Sequence, residues 1–175
     1  MTIFELGALG EFVGAILLFG SLVFVGFQIR QNTKATRAVS HHTITDALNQ
    51  LNLTFAKDPA VTKLWLSGMN DRSSLDGVQL DQYDALIRAY MHICDTMYYQ
   101  AQVGAGDHGL WKAEERYLGV ILNSNGGTAW LEENILSISS GFRKALDDII
   151  PRYRSSDAEE TDALSVRYQF PRSDS

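Results

Sequence analysis

Arg88, His92, Asp95 and Tyr99 fall at i, i+4, i+7 and i+11, the spacing that places side chains on one face of a helix. Together they have the parts of a proton-transfer site: a histidine to act as base, an aspartate to orient it and an arginine to hold an anion. The same spacing describes a solvated flank, with Asp84–Arg88 and His92–Asp95 as ordinary intrahelical pairs. Arg37 and His42 make a second candidate pair. Arg37 has a competing role, because it lies in a cluster of cations just beyond a long apolar run. In both cases the bland reading is favoured, and the residues stand as candidates only.

Metal and nucleophile chemistry find less support. The chain has four histidines and one cysteine. His41 and His42 are adjacent, so on a helix they point about 100° apart. His92 and Cys94, two apart, diverge likewise. No His-Glu-x-x-His, Cys-x-x-Cys or paired Glu-x-x-His is present, so neither a metal nor a cofactor is expected. Gly104-Ala-Gly-Asp-His-Gly109 is glycine-rich but lacks the Lys-Ser/Thr of a phosphate loop, and no strand precedes it. It reads as a turn. Cys94 sits on an apolar helix face, a place for core packing rather than for a nucleophile. A lone cysteine also rules out an intrachain disulfide.

Any such site must be positioned by a chain of 175 residues with net charge −6 and a mean hydropathy of −0.11. These values suit one small domain with an appendage and argue against a polytopic membrane protein. The negative balance argues against a general nucleic-acid binder, so no DNA partner is expected. The apolar residues concentrate at the front. Residues 12–29 contain no charge, and a helix of that length is roughly 27 Å long against a bilayer core of about 30 Å. A signal peptide would need a basic start and a small-residue cleavage site; here Glu5 and Glu11 come first and the run ends in Phe27-Gln28-Ile29-Arg30. The run reads as an uncleaved anchor, with a buried helix of a soluble domain as the alternative. Arg30, Lys34 and Arg37 follow it and no Lys or Arg precedes it. The positive-inside bias therefore expects the N-terminus outside and the rest of the chain in the cytoplasm.

Gly7, Gly14 and Ser21 recur every seven residues, and Gly10 completes a GxxxG with Gly14. Small residues on one face let helix backbones approach closely in lipid, which predicts association with a second copy or with another membrane protein. The alternative is that glycine is simply common in membrane spans. Glu11 is the ionisable group that would line a pore if several spans ringed one.

Beyond the run, no glycine or proline separates Arg30 from Lys57, and Ile44, Leu48, Leu51 and Phe55 step along one helix face. Extended backwards, that stripe meets His41, Arg37 and Lys34. One long helix, or two with a soft bend, is expected. A short helix over 59–69 begins at Pro59, and Asn70 to Gly77 has turn composition. Residues 79–103 form the clearest helix, with Leu80, Ile87, Met91, Cys94 and Tyr98 on one face and Tyr83 and Tyr90 beside it. Asp107 is a fair N-cap for a helix over 108–123, and Asn123 to Gly127 reads as a turn. A last long helix then carries Leu131, Ile135, Ile138, Phe142, Leu146 and Ile149, and Pro151 is expected to stop it. Trp111 and Trp130, near helix beginnings, are either core or interface anchors. The fold expected is all-α: an N-terminal transmembrane helix (1–30) continuing into a cytoplasmic four- to five-helix bundle (31–150), then a polar tail (151–175) in which Val166 to Phe170 is the segment fit to pack.

The opening Gly10-Glu-Phe-Val-Gly-Ala-Ile-Leu-Leu-Phe-Gly20 and its continuation through Gln28-Ile-Arg-Gln-Asn-Thr-Lys-Ala-Thr-Arg-Ala38 resemble the start of a group of small uncharacterised bacterial single-span membrane proteins. These share a glycine-rich span running into QIRxNTxAxRA. Met97-Tyr-Tyr-Gln-Ala-Gln-Val-Gly104, Gly109-Leu-Trp111 and Ala129-Trp-Leu-Glu-Glu-Asn134 are similar to later pieces of the same group. The resemblance implies a bacterial origin and a membrane anchor, and no chemistry; the anchor is expected in the bacterial inner membrane. Arg37-x4-His42 has the count seen in helical HEPN-type ribonucleases, where paired Arg and His from two subunits cleave RNA. The leading expectation is a non-enzymatic, membrane-anchored interaction or assembly module, homo-oligomeric or an accessory subunit of a larger complex, with a pore as a special case. The alternative is a membrane-tethered enzyme of the HEPN kind.

Overall fold

With nothing to break it, the front of the chain forms a single helix, α1 (Ile3–Lys57). The structure, a computed structural model, describes residues 3–155; the tail segment Val166 to Phe170 lies outside them. Polar β-branched residues inside α1 are accommodated by bonding back to their own turn. The hydroxyls of Thr33, Thr36, Thr45 and Thr54 each donate to the carbonyl four residues earlier, at 2.8–3.0 Å. Asp58 then starts α2 (Pro59–Asn70): its Oδ1 accepts from the Ala60 N–H at 2.8 Å, and proline takes the first helical position, where no N–H is needed. Asp71 ends α2 and caps a 3₁₀ turn, Arg72–Ser74. A reciprocal capping box opens α3 (Gly77–Gln102), with Asp76 accepting from the Gln79 N–H at 2.9 Å and Gln79 Oε1 accepting from the Asp76 N–H at 3.2 Å.

Gly104, at φ 69°, allows the Ala105 and Gly106 N–H groups to turn back onto the Gln100 carbonyl and close α3. Asp107 caps α4 (His108–Asn123), as its sequence position predicts, accepting from Gly109 and Leu110 N–H. Ser124 alone separates α4 from α5 (Asn125–Asn134), and a 3₁₀ turn, Ile135–Ser137, leads to α6 (Ser140–Ser155). No strand occurs among the described residues.

Three sequence expectations change here. The single last helix is two. Ile138 is extended, and Ser139 accepts the Phe142 N–H at 3.2 Å as the start of α6. Asn123 to Gly127 is not a turn, because Asn125, Gly126 and Gly127 form the first turn of α5. Their glycines serve close approach: a Cβ on Gly126 would run into the Gly68 carbonyl of α2, and one on Gly127 into the Ile121 carbonyl of α4. Nor does Pro151 stop its helix. The turn beyond it is held from outside: Asn123 Nδ2 donates to the Ile150 carbonyl at 3.1 Å, Arg152 pairs with Glu115, and Arg154 Nε donates to Asn123 Oδ1 at 3.1 Å.

The chain divides into two units, Met1–Ser40 and His41–Ser175. In the first, the large apolar side chains from Ile3 to Ile29 are 46–92 % exposed. The second has one core. α4 packs against α3, α5 and α6, and α2 packs against α3 and α5. Ile87, Met91, Cys94, Leu118, Leu122, Trp130, Phe142 and Leu146 are buried there, and Ile44 is added from α1. Leu80, Tyr98, Leu131 and Ile135, expected in the core, lie partly exposed at its edge. Trp111 and Trp130 belong to the core, not to an interface: Trp130 is fully buried, and Trp111 packs its edge on Tyr98 and Phe142.

Candidate functional site

Gly7, Gly10, Gly14 and Ser21 all lie within the apolar part of α1, where mean hydropathy reaches 2.2 and none of the window is buried. At 100° per residue the four fall within an arc of about 60°. A Cβ placed on any of the three glycines meets nothing within 4 Å, so the face they make is open. Ser21 does not interrupt it, because its hydroxyl donates to its own helix at the Leu17 carbonyl, 2.8 Å away. Gly7 also lines an open depression with Ile3, Phe4, Ala8 and Glu11. Gly20 and Gly26 fall outside the arc.

Side chains of the polar stripe of α3 reach α5 and the start of α6. Asp95 Oδ2 accepts the Ser139 N–H at 2.8 Å and Oδ1 accepts the Ser139 hydroxyl at 2.7 Å, so the carboxylate fastens the start of α6. Arg88 reaches Asn134 Oδ1 at 3.5 Å. Asp84 does not pair with Arg88. It takes both Nε and Nη2 of Arg72, at 2.9 and 2.8 Å, while Glu133 holds Nη2 at 2.8 Å. His92 is exposed, and its carbonyl accepts from Thr96. Arg37 and His42, five apart, point about 140° apart on a helix, and His42 Nε2 lies 3.4 Å from Asp46 Oδ2. His41 Nδ1 lies 3.6 Å from Asp107 Oδ2. Among the described residues no three His, Cys, Asp or Glu side chains gather as a metal site would require. Burial pushes the Cys94 thiol far above its ordinary range, which removes the thiolate a nucleophile needs.

Two charged clusters have no place in the sequence reading. Arg72 gathers Asp84 and Glu133 from helices 12 and 61 positions away, a pairing that carries no local signal. Glu115, 3 % exposed, is held by Lys112 at 3.2 Å and by Arg152. This one was legible: Trp111, Glu115, Leu118 and Leu122 step by four, three and four, which puts the glutamate in the core stripe of α4. Both clusters join helices, and Glu115, Lys112 and Arg152 also line an open cavity together with His108, Lys144 and Asp148. Compared with family models, curated proteins and solved structures, the chain finds no match.

Proposed function

We propose that this protein is a single-span inner-membrane anchor bearing a cytoplasmic helical bundle, and that it works by association, with itself or as an accessory subunit, rather than by catalysis. One observation carries the reading: large apolar side chains spread from Ile3 to Ile29, 46–92 % exposed, with no charged residue from Phe12 to Ile29. A surface of that size is stable only in lipid or against a partner. The open face of Gly7, Gly10, Gly14 and Ser21 supports association, because in lipid close backbone packing must replace the hydrophobic drive. Arg30, Lys34 and Arg37 at the inner end support the orientation with the N-terminus outside. The resemblance to small bacterial membrane proteins supports a bacterial membrane anchor. Cysteine cross-linking along the span in native membranes tests it, in a Cys94→Ser background. Dimer bands are expected to peak at positions 7, 14 and 21, and Gly14→Ile is expected to weaken them where Gly26→Ile does not. A flat profile removes the contact face.

A further inference from the structure

The span ends abruptly in charge. Between Phe12 and Thr45 there is no Asp or Glu, and the Lys and Arg residues of that stretch are Arg30, Lys34 and Arg37. All three are exposed. Neither Arg30 nor Lys34 enters an ion pair among the described residues. On the helix they stand at 0°, 40° and 340°, an arc of about 60°, while Asn32, Ala35 and Thr36 make the opposite side uncharged. The cations therefore form one face rather than a ring.

Their depth matters as much as their direction. Arg30 follows the last apolar residue, Ile29. Lys34 and Arg37 start about 6 and about 10 Å farther along the axis. A charged leaflet acts over roughly one Debye length, about 8–10 Å at physiological salt. Arg30 and Lys34 fall inside that range, Arg37 at its edge, and His41, about 16 Å along, outside it. Lys and Arg stems reach back along apolar surface and place their heads at the phosphate level. We propose that the face Arg30–Lys34–Arg37 is a binding surface for the phosphate headgroups of anionic phospholipids, gathered by Arg30 and Lys34 and reinforced by Arg37. The inference rests on the anchor reading above and adds a lipid partner to it.

The test uses the full chain in nanodiscs of mixed phosphatidylcholine and phosphatidylglycerol. Spin-labelled forms of each lipid report their relative association with the protein. A preference for phosphatidylglycerol on the order of tenfold is expected, weakening in high salt. It should fall most in Arg30→Gln and Lys34→Gln, less in Arg37→Gln, not at all in His41→Gln, and close to parity when all three cations are neutralised. Entry into discs of phosphatidylcholine alone is scored separately. A chain that fails to enter them overturns the anchor and this inference with it. A chain that enters but shows no lipid preference overturns this inference alone, as does a preference that survives triple neutralisation. Capture of inorganic phosphate without any lipid preference likewise overturns it, by assigning the face to a soluble anion.

Discussion

Asp95 accepts two hydrogen bonds from Ser139, and Ser139 in turn begins α6. Removing the carboxylate leaves that helix start without its anchor across α3. Asp95→Ala is expected to cost about 1–2 kcal/mol in urea unfolding, and His92→Ala, at an exposed position, within about 0.5 kcal/mol. An equal loss from both would restore the two as a unit. Sequence spacing placed Asp95 on the correct face and could not supply its partner, which lies 44 residues away. The buried tyrosines set the alkaline limit. Burial raises the hydroxyls of Tyr83 and Tyr90 well above their ordinary pKa, and Glu114, accepting from Tyr90 at 2.7 Å, adds to it. Folded chains therefore keep these protons at a pH where unfolded chains release them. The contribution is fully present below about pH 10, the unfolded value, and is lost as pH rises beyond it. Denaturant midpoints should fall above pH 10, and less steeply in Tyr90→Phe. A midpoint unchanged up to pH 11 would contradict the burial of both rings.

At the scale of the element, glycine has opposite meanings at positions that look alike in sequence. Gly126 packs α5 against the backbone of α2, so Gly126→Ala forces a Cβ into the Gly68 carbonyl. The helix pair must separate, at a cost of about 1–3 kcal/mol or more. Gly77, first in α3, has open space around its Cβ position, so Gly77→Ala should be neutral or stabilise by up to about 1 kcal/mol. Paired thermal melts of the two variants check the packing of α2 on α5. Equal effects would mean that the helices do not touch there. The starts of α2 and α4 were legible because their signals, Pro59 and Asp107, are local; the Asp76/Gln79 box is as local but was not read, and the start of α3 was placed two residues late. What else escaped was set by distant partners. Gly126 and Gly127 have the composition of a turn, and only the backbones of α2 and α4 make them helix. Ile135, Ile138 and Phe142 keep helical spacing across a break, and Ile138 is buried although its backbone is extended. Pro151 would end an isolated helix, but α4 holds the turn beyond it through Asn123 and Glu115.

For the whole molecule, apolar surface is sorted by position along the chain. Every buried hydrophobic residue of the core lies between Ile44 and Ile149, and the exposed large apolar side chains of the first unit lie between Ile3 and Ile29. The two sets share no residue, so stability and membrane attachment should be separable. Residues 1–40 carry three cations and two carboxylates, which leaves 41–175 at net −7 against −6 for the whole chain. A net charge of that size keeps a small domain dispersed. A chain beginning at His41 should therefore be soluble without detergent, strongly helical by circular dichroism and cooperative in thermal unfolding, while the full chain should require detergent. Loss of cooperative unfolding would show that the core depends on residues before His41. The same chain decides where association resides. If the contact face is Gly7, Gly10, Gly14 and Ser21, the full chain should sediment as an oligomer in detergent and the chain beginning at His41 as a monomer. A shorter chain that still oligomerises would move the contact to the helical unit, most directly to its exposed Tyr99, Val103 and Leu136, and would leave the glycines of α1 as ordinary membrane composition.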